Sequence, residues 1–311
     1  MHCKNARFVY NGASRRCIMK ALKISAAVLA VIVFSGCDRS AGPAALIAPG
    51  AVVEEAADGF TFTEGPASDA EGNLYFTDVF AQKIYKYTTD GVLSVFMENS
   101  FAANGLYFDG DGKLIGCVGN LGKIAVINMD ATMTDIVTEY DNIPFNSPND
   151  LWIAPNGGIY FTDPRYGDRS NLPQGGEHVY YIGPDRKTVV RVIDNMVRPN
   201  GLIGTPDGKT LYVADHGAQM TYKYTVSDDG ALSDEQLFIQ EGSDGVTMDE
   251  YGNLYIMTDA VKIYNPKGKL IETIKTPQQP SNATFAGPDK DILYITARTG
   301  LYKIKMNVEG I

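Results

Sequence analysis

The stretch at residues 147–163, "SPNDLWIAPNGGIYFTD", holds two short apolar runs separated by a Pro-Asn-Gly-Gly segment. Short runs of this kind, rich in aromatic and β-branched residues and bounded by turn residues, are typical of buried β-strands. The segment between them favours a tight turn, so the stretch predicts a hairpin. Two polar side chains, Asn149 and Asp150, open this apolar hairpin. Burying them would cost free energy unless they have partners.

The second run of this hairpin recurs six times along the chain. The copies are "GNLYFTD" (72–78), "GKLIGCV" (112–118), "GGIYFTD" (157–163), "GKTLYVAD" (208–215), "GNLYIMTD" (252–259) and "DILYIT" (291–296). Their first apolar strand residues are 39 to 52 positions apart, a period that suits one four-stranded propeller blade. No stretch shows a long helical period. The sequence therefore predicts an all-β fold, a six-bladed β-propeller with four-stranded blades.

The last copy supplies only three strand patterns before the chain ends at Ile311. A propeller leaves exposed sheet edges unless its ring closes. The segment "AVVEEAA" at residues 51–57 precedes the first copy and has strand character. We expect this N-terminal strand to complete the last blade.

A polar, oxygen-bearing side chain stands ten or eleven residues before the first apolar strand residue of every copy. These residues are Glu64, Asn104, Asn149, Asn200, Asp244 and Asn282. The strand before the turn is the innermost one of a blade, so equivalent residues face the central channel. Asn-Gly and Asp-Gly are also common turn dipeptides, so a purely local role at some of these positions is the alternative.

Converging polar groups in a narrow channel need partners, and a cation would satisfy them. Carboxylate and amide oxygens suit a hard cation that accepts six to eight oxygen ligands. The pattern includes no Cys and no repeated His, which disfavours zinc and copper sites. We therefore expect one divalent cation, calcium, with Zn²⁺, Mg²⁺ or Mn²⁺ as alternatives.

The motifs "EGP" (64–66), "SPND" (147–150), "RPNG" (198–201) and "SDG" (243–245), in this order, resemble the gluconolactonase, senescence marker protein and luciferin-regenerating enzyme superfamily. The resemblance implies a six-bladed propeller with one divalent metal at the channel mouth and a lactone-hydrolysing activity. The metal ligands that it implies are Glu64, Asn149, Asn200 and Asp244, with Asp244 also the general base. The resemblance makes a sugar lactone such as gluconolactone one candidate substrate. The chain departs from the animal members here, because they carry an Arg that contacts sugar in the motif near Asn149, where this chain has Ser147 and Pro148.

Substrate contacts are expected from the loops on the same face as the proposed metal ligands. The longest interval between copies is explained by an insertion at residues 163–181, which makes Arg165, Tyr166 and His178 candidates for these contacts. His216 follows a strand at the same edge. Asn104, in the second copy, is expected to touch substrate or a metal-bound water.

The amino terminus has the features of an export signal. Lys20 and Lys23 precede an apolar run at residues 24–34 that is too short to span a bilayer. The small residues before Cys37 resemble a bacterial lipoprotein processing box, and Met19 is a second candidate start. We expect a signal peptide at 1–36, a lipidated tether at 37–50, and a propeller at 51–311 on the periplasmic side of a bacterial membrane. A plain signal peptide without lipid is the alternative.

The charge balance restricts the partners. The leader holds six of the 27 Lys and Arg, which leaves 21 basic against 37 acidic residues and a net charge near −16. Nucleic acid is a poor partner for such a surface. We expect a monomer that acts on a small lactone or ester and meets membrane only through the anchor on Cys37. The alternatives are an organophosphate or aryl esterase on the same site, or a non-catalytic binding propeller.

Overall fold

The computed structural model describes residues 45–311. The predicted signal peptide, the lipid site at Cys37 and most of the predicted tether lie outside the described residues. The described part folds into six antiparallel four-stranded sheets and one two-stranded hairpin. This confirms the all-β, six-bladed propeller.

The strands follow one another blade by blade. The first in the chain is β1 (Glu54–Asp58). Blade 1 contains β2 (Thr63–Ser68), β3 (Leu74–Asp78), β4 (Lys83–Tyr87) and β5 (Leu93–Glu98). Blade 2 contains β6 (Ala103–Phe108), β7 (Leu114–Val118), β8 (Lys123–Ile127) and β9 (Met133–Val137), with a 3₁₀ turn at Gly119–Leu121. The small hairpin β10 (Glu139–Tyr140) and β11 (Ile143–Pro144) follows.

The remaining blades repeat the same order. Blade 3 contains β12 (Leu151–Ile153), β13 (Ile159–Asp163), β14 (His178–Ile182) and β15 (Val189–Ile193). Blade 4 contains β16 (Pro199–Gly204), β17 (Thr210–Asp215), β18 (Met220–Val226) and β19 (Leu232–Ile239). Blade 5 contains β20 (Val246–Met248), β21 (Leu254–Met257), β22 (Val261–Tyr264) and β23 (Leu270–Ile274). Blade 6 contains β24 (Asn282–Ala286), β25 (Ile292–Ala297) and β26 (Gly300–Lys305), and it takes β1 as its fourth strand.

The apolar core lies between neighbouring sheets. Strands such as β13 are buried along their whole length because a blade covers each of their faces. Tyr160 and Phe161, at adjacent positions, therefore enter two different clusters on opposite sides of their sheet. The outer strands, such as β19, are largely exposed. This explains why the second run of each repeat is apolar at nearly every position.

The ring closes as the sequence predicts. Strand β1 pairs antiparallel with β26, from Glu54 opposite Lys303 to Asp58 opposite Gly300. The paired strand starts a few residues later than the predicted segment 51–57. Leu46 is buried, and Ile47 forms a bridge with Met306, so residues before position 51 also pack on blade 6. Within residues 45–311, no helix is long and apolar enough to span a membrane.

Candidate active site

The polar residues singled out by their offset lie at the start of the innermost strands. The register of β2 with β3 shifts between Glu64 and Ala67, and equivalent shifts follow Asn104 in β6 and Asn200 in β16. An irregular register of this kind bends a strand and redirects its side chains. Asn149 and Asp244 stand just before β12 and β20. In blade 6, Asn282 is the first residue of β24, so the equivalent position of every blade lies at or just before the start of its innermost strand.

Glycine follows the polar residue in four of the six blades because the next innermost strand passes very close. A Cβ on Gly65 would lie 1.9 Å from the backbone oxygen of Asn104, and one on Gly245 would lie 2.0 Å from Asn282 Cγ. The Gly105 N–H donates to the Asn149 carbonyl at 2.7 Å, and the Gly201 N–H donates to Asp244 at the same distance. These glycines therefore serve close packing around the axis. Asn104-Gly105 and Asn200-Gly201 lie inside β6 and β16 and form no hairpin turn, whereas Asp244-Gly245 lies in a bend before β20.

The proposed ligands converge from different blades. The Asn200 Nδ2 donates to Asp244 Oδ1 at 2.7 Å across the interface between blades 4 and 5. Glu64 is 4% exposed, and its Oε2 accepts a hydrogen bond from the Gly65 N–H at 3.0 Å. Asn149 is 8% exposed and lines one cavity together with Asn104.

The electrostatics of this cluster favour a cation. Burial raises the pKa of Glu64 well above its usual range, and the carboxylates of Asp244 and Asp150 raise it further. Burial also raises the pKa of Asp244, against the opposing effects of His216, Asn200 and Arg298. Within the described chain, neither Glu64 nor Asp244 forms an ion pair with Lys, Arg or His. A buried acid without an ion-pair partner, such as Glu64, needs either a proton or a metal ion, and the half-buried Asp244 beside it adds a second negative charge.

The donor set fits a hard cation that binds amides as well as acids. The Asn200 amide nitrogen donates both to Asp244 Oδ1 and to the Tyr166 hydroxyl, at 2.7 and 2.5 Å, which leaves its carbonyl oxygen for a ligand. No group of three or more His, Cys, Asp or Glu in residues 45–311 is arranged to hold a metal. A cation here would therefore depend on the two Asn oxygens together with Glu64 and Asp244.

Comparisons with known proteins agree with this geometry. The family described as SMP-30/Gluconolactonase/LRE-like region matches residues 62–299, which include all six innermost strands. The chain belongs to this family.

Individual relatives span most of the chain. It is 28% identical to the gluconolactonase of Zymomonas mobilis over 83% of this chain and 82% of that protein. It is 31% identical to lactonase drp35 of Staphylococcus saprophyticus over 69% of each. A solved gluconolactonase from Xanthomonas campestris is 28% identical, with a TM-score of 0.78 over 84% of this chain and 94% of that one. The calcium-binding protein regucalcin from Agrobacterium tumefaciens shares the fold at 19% identity, with a TM-score of 0.71 over 83% and 94%.

In this member of the SMP-30/gluconolactonase family, the insertion carries one of the predicted contact residues into the cluster. The Tyr166 hydroxyl lies 2.5 Å from Asn200 Nδ2 and 3.1 Å from His216 Nδ1. The guanidinium of Arg198 lies 5.1 Å from the centre of the Tyr166 ring. A chain of polar contacts therefore runs from His216 through Tyr166 and Asn200 to Asp244.

Glu177 fixes the base of this insertion, a role that the sequence did not reveal. Its side chain is 1% exposed and forms a two-point pair with Arg169, from Nε and Nη2 at 2.9 Å each. The backbone N–H of Arg165 donates to the same carboxylate at 2.9 Å. The Arg198 guanidinium lies 3.9 Å from it. Glu177 thus ties together the two segments that flank Tyr166.

Two other predicted contact residues point elsewhere. The Arg165 guanidinium donates to the Asn146 carbonyl at 3.1 Å. His178 is the first residue of β14, opposite Asp163, and its Nε2 lies 3.3 Å from the Gln174 carbonyl. Burial and the Arg191 charge lower the pKa of His178. The structure does not bring these two side chains into contact with the proposed ligands.

Asp150 and Asn282 complete the inner surface of the channel. Burial raises the pKa of Asp150 to about 7, and hydrogen bonds from the Leu151 N–H and Asn282 oppose this shift. Asn282 also acts to lower the pKa of Glu64, against the larger effect of burial. Asp150 replaces the glycine that follows the polar residue in four other blades, a departure visible in the sequence once the repeats are aligned. It was not among the predicted site residues.

The aspartates that end the second strands have a structural function. Asp78, Asp163 and Asp215 each accept hydrogen bonds from two backbone N–H groups in the segment that leads into the innermost strand of their own blade. Asp259 differs, because it is 86% exposed and pairs with Lys262. The three buried aspartates hold the loops that surround the site.

Proposed function

We propose that this protein is an exported lactone hydrolase that uses one divalent cation, calcium. Glu64, Asn149, Asn200 and Asp244 would hold the ion. The observation that carries the proposal is the meeting of the buried Glu64 carboxylate, the half-buried Asp244 carboxylate and the Asn200 amide at the channel mouth, in a family that includes named lactonases.

The protein side chains divide the chemistry among them. A bound calcium ion supplies positive charge that polarises the lactone carbonyl and stabilises the developing oxyanion. Asp244 accepts the proton of the attacking water, since it is half-buried at the channel mouth and its pKa is raised by burial. The contacts of Asn200 to Asp244 and Tyr166 hold this carboxylate in one orientation.

A panel of lactones and esters on chelated and calcium-reloaded protein tests the proposal. We expect activity to disappear on chelation and to return with calcium. Asp244→Ala should reduce kcat/KM by about a hundredfold or more, the usual contribution of a general base. Glu64→Gln should also reduce kcat/KM, because it removes one of the two charged ligands of the proposed ion. Lactone hydrolysis that survives chelation and both substitutions would exclude this mechanism.

We also propose that the protein is exported and anchored by lipid on Cys37. The apolar run at residues 24–34 and the small residues before Cys37 support this proposal. Cys37→Ala should move the protein from the membrane fraction to the soluble fraction after expression in bacteria. Membrane retention of this variant would contradict the anchor. Light scattering on the soluble protein tests the expected monomer.

A further inference from the structure

A cavity of about 270 Å³ lies beside the proposed ligand cluster. Asn104 and Asn149 line its inner side, so it is continuous with the channel mouth. Phe80 stands in the loop of blade 1 on one side, and Tyr166 stands in the insertion of blade 3 on the other. Gly119 and Asn120, in the short Gly119–Leu121 turn of blade 2, also line the cavity.

The described residues that line this cavity are uncharged and of two kinds. Apolar or aromatic side chains come from Val79, Phe80, Ala102, Pro148 and Tyr166, and amide or hydroxyl groups come from Gln82, Asn104, Asn120, Ser147 and Asn149. Phe80 is 72% exposed, although its ring touches Phe62, with 5.4 Å between the centroids. Phe101 and Leu121 do not line the cavity, but they are the chain neighbours of its lining residues Ala102 and Asn120, and they are 41% and 45% exposed. Among the described lining residues there is no Asp, Glu, Lys or Arg. Clustered exposed apolar side chains beside a pocket mark a binding surface.

The backbone around the floor is held in an uncommon conformation. Phe101 and Ala102 have φ angles of 55° and 54°, in the left-handed region that non-glycine residues rarely adopt. The turn is fixed by hydrogen bonds from the Ser100 N–H to Gln82 and from the Gly119 N–H to Ala102, at 2.8 and 3.2 Å. These hydrogen bonds hold the turn beside the cavity in one conformation.

We propose that this cavity binds an apolar substituent of the substrate, so that the preferred substrates are lactones with an alkyl or aryl group. The inference rests on the proposed lactonase function and narrows its substrate class. An apolar chain would remove the exposed Phe80 ring from water, which is favourable, whereas a polyhydroxylated lactone would gain little from contact with this ring. The volume is close to the lower end of ordinary ligand pockets, roughly 300 Å³, which is enough for the substituent while the lactone ring occupies the channel mouth.

A homologous series tests the substrate class. The calcium-loaded protein is given δ-lactones with side chains of increasing length, together with glucono-δ-lactone. We expect kcat/KM to rise about two- to fourfold for each of the first methylenes, as burial of a methylene predicts. Phe80→Ser should flatten this dependence. Leu237→Ser, a change at an equally exposed apolar residue of β19, should leave it unchanged.

A binding measurement separates this inference from the proposed function. Alkyl-substituted δ-lactams serve as probes that resist hydrolysis, and their Kd is measured by calorimetry. Affinity that rises with chain length and depends on Phe80 supports the cavity, even when no lactone is hydrolysed. The inference would be overturned if rates and affinities did not change with chain length, or if glucono-δ-lactone were the best substrate. Neither result would contradict the lactonase proposal.

Discussion

At the scale of single residues, the site is a group of acids that the fold keeps out of water. Glu64 is 4% and Asp150 is 8% exposed, and Asp244 is half-buried. Burial raises the pKa of all three. A raised carboxyl pKa means that the ionised form is destabilised in the native state, so these acids oppose folding when they are charged. The cation proposed above would offset this cost by neutralising the carboxylates.

The sign of this effect gives a prediction for Asp150, whose pKa rises from 3.8 to about 7. Between these values the chelated native protein binds a proton that the unfolded chain has released. Its stability should therefore be fully present below pH 4 and fall as the pH rises towards 7. Asp150→Asn should reduce the pH dependence of the free energy of unfolding by up to about 1.4 kcal/mol per pH unit in this range.

Urea denaturation of the chelated protein between pH 4 and pH 8 measures the slope. Burial raises the pKa of Asp163 to about 7 as well, so a residual slope of the same sign should remain in the variant. An unchanged slope after Asp150→Asn would show that this carboxyl ionises normally.

At the scale of elements, loops are fastened to strands by buried acids. Glu177 joins the insertion to the segment before β16, and this contact places Tyr166 over Asn200. The Asp215 carboxylate also fixes this segment, because it accepts hydrogen bonds from the backbone N–H groups of Val197 and Arg198. The geometry of the site thus depends on contacts that lie outside it.

The Glu177 contact should be worth much more than a surface ion pair. Glu177→Gln leaves Arg169 without its charged partner, and we expect a loss of about 3 kcal/mol in the free energy of unfolding. Glu98→Gln is the matched control, because Glu98 is 59% exposed and pairs with Lys83, so it should cost under about 1 kcal/mol. Denaturant unfolding measures both, and limited proteolysis should cut the insertion sooner in Glu177→Gln. Equal effects of the two substitutions would argue against a buried clamp.

The aspartates that end the second strands allow a second comparison. Asp215→Ala leaves three backbone N–H groups unbonded, those of Val197, Arg198 and Ala218. We expect it to cost about 3 kcal/mol, whereas Asp259→Ala, at an 86% exposed position, should stay within about 0.5 kcal/mol. Thermal unfolding of the two variants checks the difference. A harmless Asp215→Ala would remove the structural explanation of these residues.

At the scale of the whole molecule, rotational repetition converts one sequence offset into one site. The ring is closed by β1, which pairs with β26 and leaves that strand no free edge. A fragment of residues 45–311 should unfold cooperatively, whereas a fragment of residues 59–311 should lose cooperativity and aggregate. Circular dichroism and light scattering measure this contrast. Cooperative folding of the shorter fragment would show that closure by β1 is dispensable.

The same repetition explains how much could be predicted. Blade number, closure and the ring positions follow from local strand patterns and their spacing, which the chain displays directly. Glu177 and the glycines beside the axis were missed because their contacts join segments that are distant in sequence. His178 was assigned to the insertion because nothing in "GEHVYY" shows that β14 already begins there, opposite Asp163.

Calcium binding to the chelated protein, measured by titration calorimetry, tests the central claim most directly. The account predicts one site in the wild-type protein, weakened at least about tenfold by Glu64→Gln, since the ion loses one of its two charged ligands. Glu98→Gln, at an exposed acid in blade 1, should bind calcium as the wild type does. A wild-type protein that binds no calcium, or a Glu64→Gln variant that binds it with undiminished affinity, would contradict the convergence of these residues on one ion.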